Sequence, residues 1–382
     1  MSQDVIVVGA GPGGSSAAIT LARGGAKVLL LDRADFPREK TCGSGLSPNA
    51  LDVADQLGVG EELRAQAAPI QSMKLVTPGG RAMVLTSNVN AVVLLRRDFD
   101  HLLQKRALAV GAEFKGGVRA TELIREGGRV VGVRMADGTE HRAQYVLCAD
   151  GAHSIFSTDP RPKRSISTLM GWWENADFIP GQIEMIFDKN VSPLYGWLFP
   201  ESPTRVNIGI CIEGQDERGE KTERNVREVF DRFLDDHYAG RLKRATQVGR
   251  LKGHPIVYTT WVSNCTAPGA LHLGEAARIT HNATGEGISH AMQSGVYAAD
   301  AILSVLQRRA TEDAAWRAYT WKHRRRFTAG FVGGHLLRAV VRTPLLDGMA
   351  RAYHNPVIRG AAVRLLGSAL AGASAREAGA AR

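Results

Sequence analysis

Residues 5–32 read VIVVGAGPGGSSAAITLARGGAKVLLLD, and this stretch constrains the fold more than any other. An apolar run from Val5 to Val8 leads into Gly9-x-Gly11-x-x-Gly14, then a small-residue segment, then a second apolar run ending at Asp32. The pattern predicts a strand, a tight glycine turn, a helix over 15–24 and a strand over 27–31. Each part has a chemical use. Gly9 permits the turn, Gly11 lets backbone approach a pyrophosphate, and Gly14 lets the helix pack close to the strand. The helix N-terminus offers free N–H groups and a positive dipole end to phosphate. An acid at the tip of the second strand can accept hydrogen bonds from an adenosine ribose. A bare glycine turn occurs in many α/β proteins. Here the strand before it, the helix after it and the acid beyond it together point to dinucleotide binding.

The chain has 382 residues, enough for a large core and about two domains. Hydrophobic content of 44% and charged content of 23% are ordinary for a globular enzyme. No apolar stretch approaches the ~20 residues that cross a bilayer. The first strand starts so early that no signal peptide is expected before it. Cys42, Cys148, Cys211 and Cys265 lie far apart without metal-ligand spacing. They argue against zinc and against a disulfide framework, so no metal site is expected and a reducing cytoplasm is.

The net charge of +10 is unevenly placed: ten Lys and Arg stand against the single acid Asp347 between Arg317 and Arg364. No nucleic-acid-binding motif accompanies this charge, so no nucleic acid is expected as partner. A basic helical tail fits a membrane surface or an acidic carrier protein, with a merely solvated basic face as the alternative. Leu336, Leu337, Val340, Val341 and Leu345 are candidates for an apolar face on it.

Farther along, 33–47 reads as a loop and Ser47-Pro48 as a helix start. Residues 71–95 alternate about Gly79-Gly80 like a hairpin, and 98–110 have helical periodicity. Short strands are expected near 112–118, 121–125, 129–135 and 143–148. Several more fall within 166–213, an amphipathic helix over 221–240 and a long packed helix over 286–308. An α/β opening, a β-rich middle and a return to α/β pattern predict a discontinuous cofactor domain (1–70, 96–165 and 265–308). The β-rich substrate domain would comprise 71–95 and 166–264, and 309–382 a basic helical region.

Four further motifs line up with the N-terminal fingerprint. Arg97-Asp98-Phe99-Asp100 opens a helix. Cys148-Ala149-Asp150-Gly151-Ala152-His153-Ser154 ends an apolar strand. Leu273-Gly274-Glu275-Ala276-Ala277 precedes Thr284-Gly285-Glu286-Gly287-Ile288. Over about residues 4–308 this order resembles FAD-dependent oxidoreductases of the glutathione-reductase type. That superfamily includes aromatic hydroxylases, flavin halogenases and geranylgeranyl reductases. Lys40-Thr41-Cys42-Gly43-Ser44-Gly45-Leu46-Ser47-Pro48 and Tyr195-Gly196-Trp197-Leu198-Phe199-Pro200 look most like geranylgeranyl reductases.

The resemblance implies an α/β (α+β) fold: a Rossmann FAD-binding domain, an inserted β-sheet substrate domain and a helical C-terminal tail. It implies that Gly9, Gly11 and Gly14 cradle the FAD pyrophosphate and that Asp32 holds the ribose. Arg97 would sit near the phosphate–ribityl region, with Val118 also in the cofactor set. Asp150 would support the cofactor fold, and Gly274 and Glu275 would face the ribityl chain. Gly285, Gly287 and Ile288 would lie beside the pyrimidine edge of the flavin, where a helix N-terminus stabilises negative charge. The chain departs from the family in carrying Glu275 where Asp is usual, and His281-Asn282 where Asn-Pro is usual. After Ser154 it has Ile155-Phe156-Ser157 where an Arg often follows.

Cys42 and His281 are the candidate catalytic residues, for protonation or substrate contact. The alternatives are a small residue in a glycine loop and a loop histidine capping the next helix. Tyr195, Trp197 and Phe199 fall on one face of a strand and are candidate substrate-lining residues, with aromatic core packing as the alternative. No second GxGxxG follows a strand, so NAD(P)H or a reduced electron carrier would deliver electrons without a dedicated nucleotide domain. The leading expectation is reduction of carbon–carbon double bonds in an isoprenoid or similarly apolar small molecule. The alternatives are a flavin monooxygenase acting on an aromatic or polyketide-like molecule in secondary metabolism, and an electron-relay flavoprotein. Halogenation would need a Lys near the Trp strand, and none stands between Val191 and Pro203.

Overall fold

A computed structural model describes residues 3–86, 90–157, 159, 164–216, 220–262, 264–353, 355, 357, 359 and 360. The expected tail beyond residue 360, Arg364 included, lies outside the described residues. Strand β1 (Gln3–Val8) runs into helix α1 (Pro12–Arg23), and the chain returns as β2 (Val28–Leu31). Helix α1 begins three residues earlier than its periodicity predicts. Pro12 takes the first helical position and Gly11 is the extended N-cap, so the turn and helix are continuous. Helix α2 (Pro48–Gln56) starts at Ser47, whose Oγ accepts from Ala50 N at 3.4 Å. The hairpin β3 (Ser72–Val76) and β4 (Ala82–Leu85), helix α3 (Arg96–Ala109), β5 (Glu113–Lys115) and β6 (Glu140–Cys148) follow.

The β-rich middle holds β7 (Arg164–Glu174), β8 (Gln182–Ile186), β9 (Gly196–Pro200), β10 (Arg205–Gln215), helix α4 (Val226–Tyr238) and β11 (Thr246–Tyr258). Strand β12 (Ala270–His272) and helices α5 (Ile288–Leu306), α6 (Glu312–Val341) and α7 (Leu345–Arg351) complete the described chain.

Strands β12, β6, β1, β2 and β5 lie side by side in that order, all parallel. Val5, Ile6 and Val7 are fully buried, which is why this strand is an unbroken apolar run rather than an alternating one. Helices α1 and α5 cross closely over the sheet. A Cβ at Gly295 would lie 2.2 Å from Gly13 O, so only glycine allows that approach.

The second sheet runs β11–β7–β10–β9–β8–β3–β4, antiparallel except where β8 meets β3. Strand β10 shows how it is used. Val206, Ile208 and Ile210 face α4 and pack with Phe230, Phe233 and Tyr238. Asn207, Gly209 and Cys211 point to the opposite face, because side chains alternate along a strand. That opposite face roofs the cavity described below.

The 72–85 hairpin thus belongs to the second sheet, but the expected continuation to 95 does not. Ala91–Val93 leaves it and pairs with Gly45–Leu46 and Ala68–Ile70 in a separate three-stranded sheet. The alternation of that segment is satisfied there instead, with Val93 packed against Ile70 and Ile183.

Candidate active site: a polar groove continuous with an apolar chamber

A single cavity of about 1190 Å³ runs from the β1–α1 turn to the underside of the second sheet. Its polar end is built by the glycine turn. Gly9 has φ +102°, and a Cβ there would lie 2.4 Å from Ala149 O. A Cβ on Gly14 would lie 1.8 Å from Gly9 O, so Gly14 is a packing requirement. Gly11 differs: within 4 Å its Cβ would meet only Arg38 Nη2, at 3.7 Å, because this glycine borders the cavity. The N-cap of α1 has no side-chain hydrogen bond, which leaves its first amides for a ligand.

Asp32 holds this turn against β2. Its Oδ2 accepts from Ala10 N at 2.9 Å and its Oδ1 from Ala34 N at 3.0 Å, while Arg38 approaches at 3.5 Å. Arg38 also pairs with Asp100 at 3.1 Å. Arg96 grips the same carboxylate with two bonds, at 2.6 and 2.8 Å. Burial works against the Arg96 charge, but Asp100 outweighs it and raises its pKa. The predicted Arg97 is displaced from the site. One step around the helix, 100° per residue, turns it outward to solvent, and Arg96 lines the cavity instead. The Arg96/Asp100 spacing of four was the overlooked signal.

Lys40 and His254 were also unassigned. Lys40 Nζ donates to His254 Nε2 at 2.7 Å. Burial, and then the charge of Lys40, push the histidine down to about 3, so it is neutral. Burial lowers Lys40 too, against the attraction of Glu275. Glu275 accepts from Val257 N at 3.3 Å, and burial raises its pKa against the pull of Lys40. Asp150 borders the groove, with Oδ2 accepting from Ile155 N at 3.1 Å. Val118, half-buried, and Gly274 line it as well.

Helix α5 presents a second uncapped N-terminus: its N-cap is Gly287, and Gly285, Gly287 and Ile288 line the cavity. Gly285 has φ +66°. Glu286 accepts hydrogen bonds from Ser47 Oγ and from Ser289 Oγ. The Ser47 bond stitches the 40–48 loop to the 284–288 turn, two motifs nearly 240 residues apart.

The chamber beyond is apolar. Tyr195, Trp197 and Phe199 line it together, as their spacing of two requires, with Met170, Met185 and Ile183. Tyr195 donates its hydroxyl to Thr284 O. Trp197 Nε1 donates to Asn207 Oδ1 at 2.7 Å, and Asn207 Nδ2 donates to Gly171 O at 3.1 Å. The indole lies in a slot between glycines: a Cβ on Gly209 would sit 2.2 Å from its ring, and one on Gly43 would sit 3.1 Å from Nε1. Cys42 lines the cavity where groove and chamber meet, and its Sγ accepts from Ser44 N at 3.3 Å.

His281 is turned away from the cavity. Its Nε2 donates to Gly330 O on α6 at 2.9 Å, and its Nδ1 accepts from Thr284 N at 3.1 Å. Burial pushes it down to about 4. It is a neutral strut between α6 and the 284–288 turn, which corrects its expected catalytic place. Among the described residues no cluster of His, Cys, Asp and Glu could hold a metal ion.

Comparison with known proteins fixes the class. A family model described as an FAD binding domain matches residues 2–333, and the chain belongs to that family. It is an FAD-dependent oxidoreductase. The chain is 31% identical to the menaquinone reductase of Mycobacterium tuberculosis, over 78% of this chain and 76% of that protein. It is also 31% identical to digeranylgeranylglycerophospholipid reductase 1 of Methanopyrus kandleri, over 84% and 85%. The structure of a geranylgeranyl bacteriochlorophyll reductase-like protein from Thermoplasma acidophilum superposes with a TM-score of 0.80. That match covers 95% of this chain and 99% of the other at 24% identity, and shows the shared fold. Within its class the chain is of the geranylgeranyl reductase type.

The site suits FAD. The one fingerprint glycine whose Cβ would meet no backbone borders the groove, and the two uncapped helix ends can take the pyrophosphate and the flavin's pyrimidine edge. The cavity exceeds the ~300–1,000 Å³ usual for one small ligand, leaving room for a second molecule in the chamber.

Proposed function

We propose that this enzyme reduces carbon–carbon double bonds in a long apolar isoprenoid. The observation that carries the reading is the continuity of an aromatic and methionine-lined chamber with the cofactor groove, inside one cavity. A polyprenyl chain offers no hydrogen bonds to such a lining and gains only by leaving water. The names of relatives that act on geranylgeranyl groups agree with it.

Bound reduced FAD supplies a hydride. The chain's own residues orient the substrate and exclude water. Tyr195, Trp197 and Phe199 form a flat apolar wall, and the uncapped α5 N-terminus favours the negative charge of the reduced ring. One alkene carbon takes the hydride, and the other takes a proton for which the Cys42 thiol, at the junction of groove and chamber, is our candidate source. NAD(P)H or a reduced carrier would supply the two electrons that return the bound FAD to its reduced form.

The test is anaerobic. Protein reduced with dithionite is mixed with a polyprenyl diphosphate or polyprenyl lipid, and products are read by mass spectrometry. A gain of two hydrogens per reduced bond is expected. Turnover only in air, with oxygen incorporated, would refute the reductase reading in favour of a monooxygenase. Cys42→Ala should lower the single-turnover rate without lowering FAD content.

A further inference from the structure

Helix α6 has two distinct faces. The inner one carries Trp316, Tyr319, His323, Phe327, Phe331, Leu337 and Val341, all buried. The apolar face expected from the sequence is therefore split: Leu337 and Val341 pack into the second sheet, whereas Leu336 and Leu345 are 57% and 56% exposed. The outer face carries Trp321 (58% exposed), Val332 (62%) and Leu336. At 100° per residue, these three fall within about 60° of the helix circumference, with Arg325 in the same sector and Ala329 at its edge. Arg317 adjoins them. Trp321 to Leu336 spans roughly 22 Å of helix at 1.5 Å per residue.

The charge on this face has one sign. Arg317, Arg325, Arg351 and Arg359 are exposed. The only acid between Arg317 and Arg359, Asp347, is turned inward, accepting from Thr77 Oγ1 and from Gly79 N at 3.0 Å. Acids packed near the helix on other elements are engaged: Glu213 by Arg338 and Arg342, Asp300 by Lys322. Two exposed tryptophans carry arginines over their rings, Arg325 over Trp321 at 5.2 Å and Arg324 over Trp261 at 4.9 Å.

We propose that the outer face of α6, continued through α7, docks on an anionic lipid bilayer. Tryptophan and arginine at one level suit the boundary between headgroups and acyl chains: the indole enters it, and the arginine stem lies along it with the guanidinium at the phosphates. An acidic protein would account for the arginines but would leave Trp321, Val332 and Leu336 unexplained on a convex helix face that carries no acid beyond Asp313. Among the described residues no helix is long and apolar enough to span a membrane, so the contact is peripheral.

The placement also serves the chamber. Tyr353 donates to Val84 O on β4 at 3.2 Å, and Leu346 is buried with Met83 of that strand. Leu85, next along it, lines the cavity. Docking through α6 and α7 therefore brings an edge of the chamber near the bilayer, where an apolar substrate dissolves; this last step rests on the proposed function.

The FAD-loaded full-length protein is floated with phosphatidylglycerol/phosphatidylcholine vesicles and with pure phosphatidylcholine, at low and at raised salt. Binding is expected to the anionic vesicles and to fall as salt rises. Arg317→Glu/Arg325→Glu and Trp321→Ser/Val332→Ser/Leu336→Ser should each weaken it at least roughly tenfold, since each of the two cations counts for about a fivefold affinity step and the second variant removes three apolar side chains from the contact. Both variants should keep FAD content and near-ultraviolet circular dichroism. Failure of the natural protein to bind anionic vesicles, or undiminished binding by both variants, would overturn the proposal. So would a dimer, seen by ultracentrifugation, that the apolar variant abolishes while vesicle binding is absent. Flotation requires no turnover, so oxygen insertion in the reaction assay would sink the reductase reading and leave this one standing.

Discussion

Trp197 is held by one buried side chain, and the energy of that arrangement can be worked out. Asn207 is fully buried on β10 and makes two bonds, accepting from Trp197 Nε1 at 2.7 Å and donating to Gly171 O at 3.1 Å. Asn207→Leu keeps the approximate volume and removes both partners at once. A buried group left unsatisfied costs about 1–3 kcal/mol, so two cost about 2–6 kcal/mol. Part of this is relieved, because Trp197 borders the cavity and water can reach its N–H. The expected net destabilisation is about 2–4 kcal/mol. A double-mutant cycle isolates the indole bond. In a Trp197→Phe background the N–H is already gone, so Asn207→Leu should cost about 1–2 kcal/mol less. Urea unfolding of the four proteins, with FAD absorbance as a second probe, gives all the terms. Additivity within about 0.5 kcal/mol would refute the coupling and leave Asn207 as a sheet-packing residue.

Gly11→Val should fold but retain no FAD, because its side chain enters the groove and meets only the end of Arg38. Gly14→Ala should instead lose the fold of the β1–α1 unit, its Cβ colliding with Gly9 O; circular dichroism and FAD absorbance separate the two, and full FAD retention by Gly11→Val would refute the cradle. Arg96→Ala should cost about 2 kcal/mol, because Asp100 loses both bonds to Arg96 and keeps only Arg38, whereas Arg97→Ala should stay within about 0.5 kcal/mol; equal effects in urea melts would contradict the assignment. His281 and His323 are both pushed down to about 4 by burial, from the ordinary value of 6.5. Their contribution is complete above about 6.5 and is lost as pH falls toward 4, since the unfolded chain binds the proton first. Each should cost about 2 kcal/mol between pH 7 and pH 5, and His281→Gln should flatten that slope in urea titrations.

The local rules of the chain were enough to define the cofactor half. A strand, glycine turn, helix and acid within 28 residues form a self-contained unit, and the meaning of Gly9, Gly11 and Gly14 depends on backbone sterics that travel with the sequence. The spacing of Tyr195, Trp197 and Phe199 likewise put them on one face, because strand geometry has a period of two. What the sequence could not supply was direction in space. Arg96 and Arg97 are chemically the same, and only the rotation of α3 against the sheet decides which one meets Asp100 and the groove. His281 stands three residues from a turn that lines the cavity, yet α6, arriving from about fifty residues later, offers Gly330 O and draws the ring away. Lys40 finds His254, and Ser47 finds Glu286, only because two sheets bring distant loops together. The apolar residues of α6 look alike in one dimension. Packing against the second sheet buried Leu337 and Val341 and left Trp321, Val332 and Leu336 outside, since a helix has one face that a core can cover and another that it cannot.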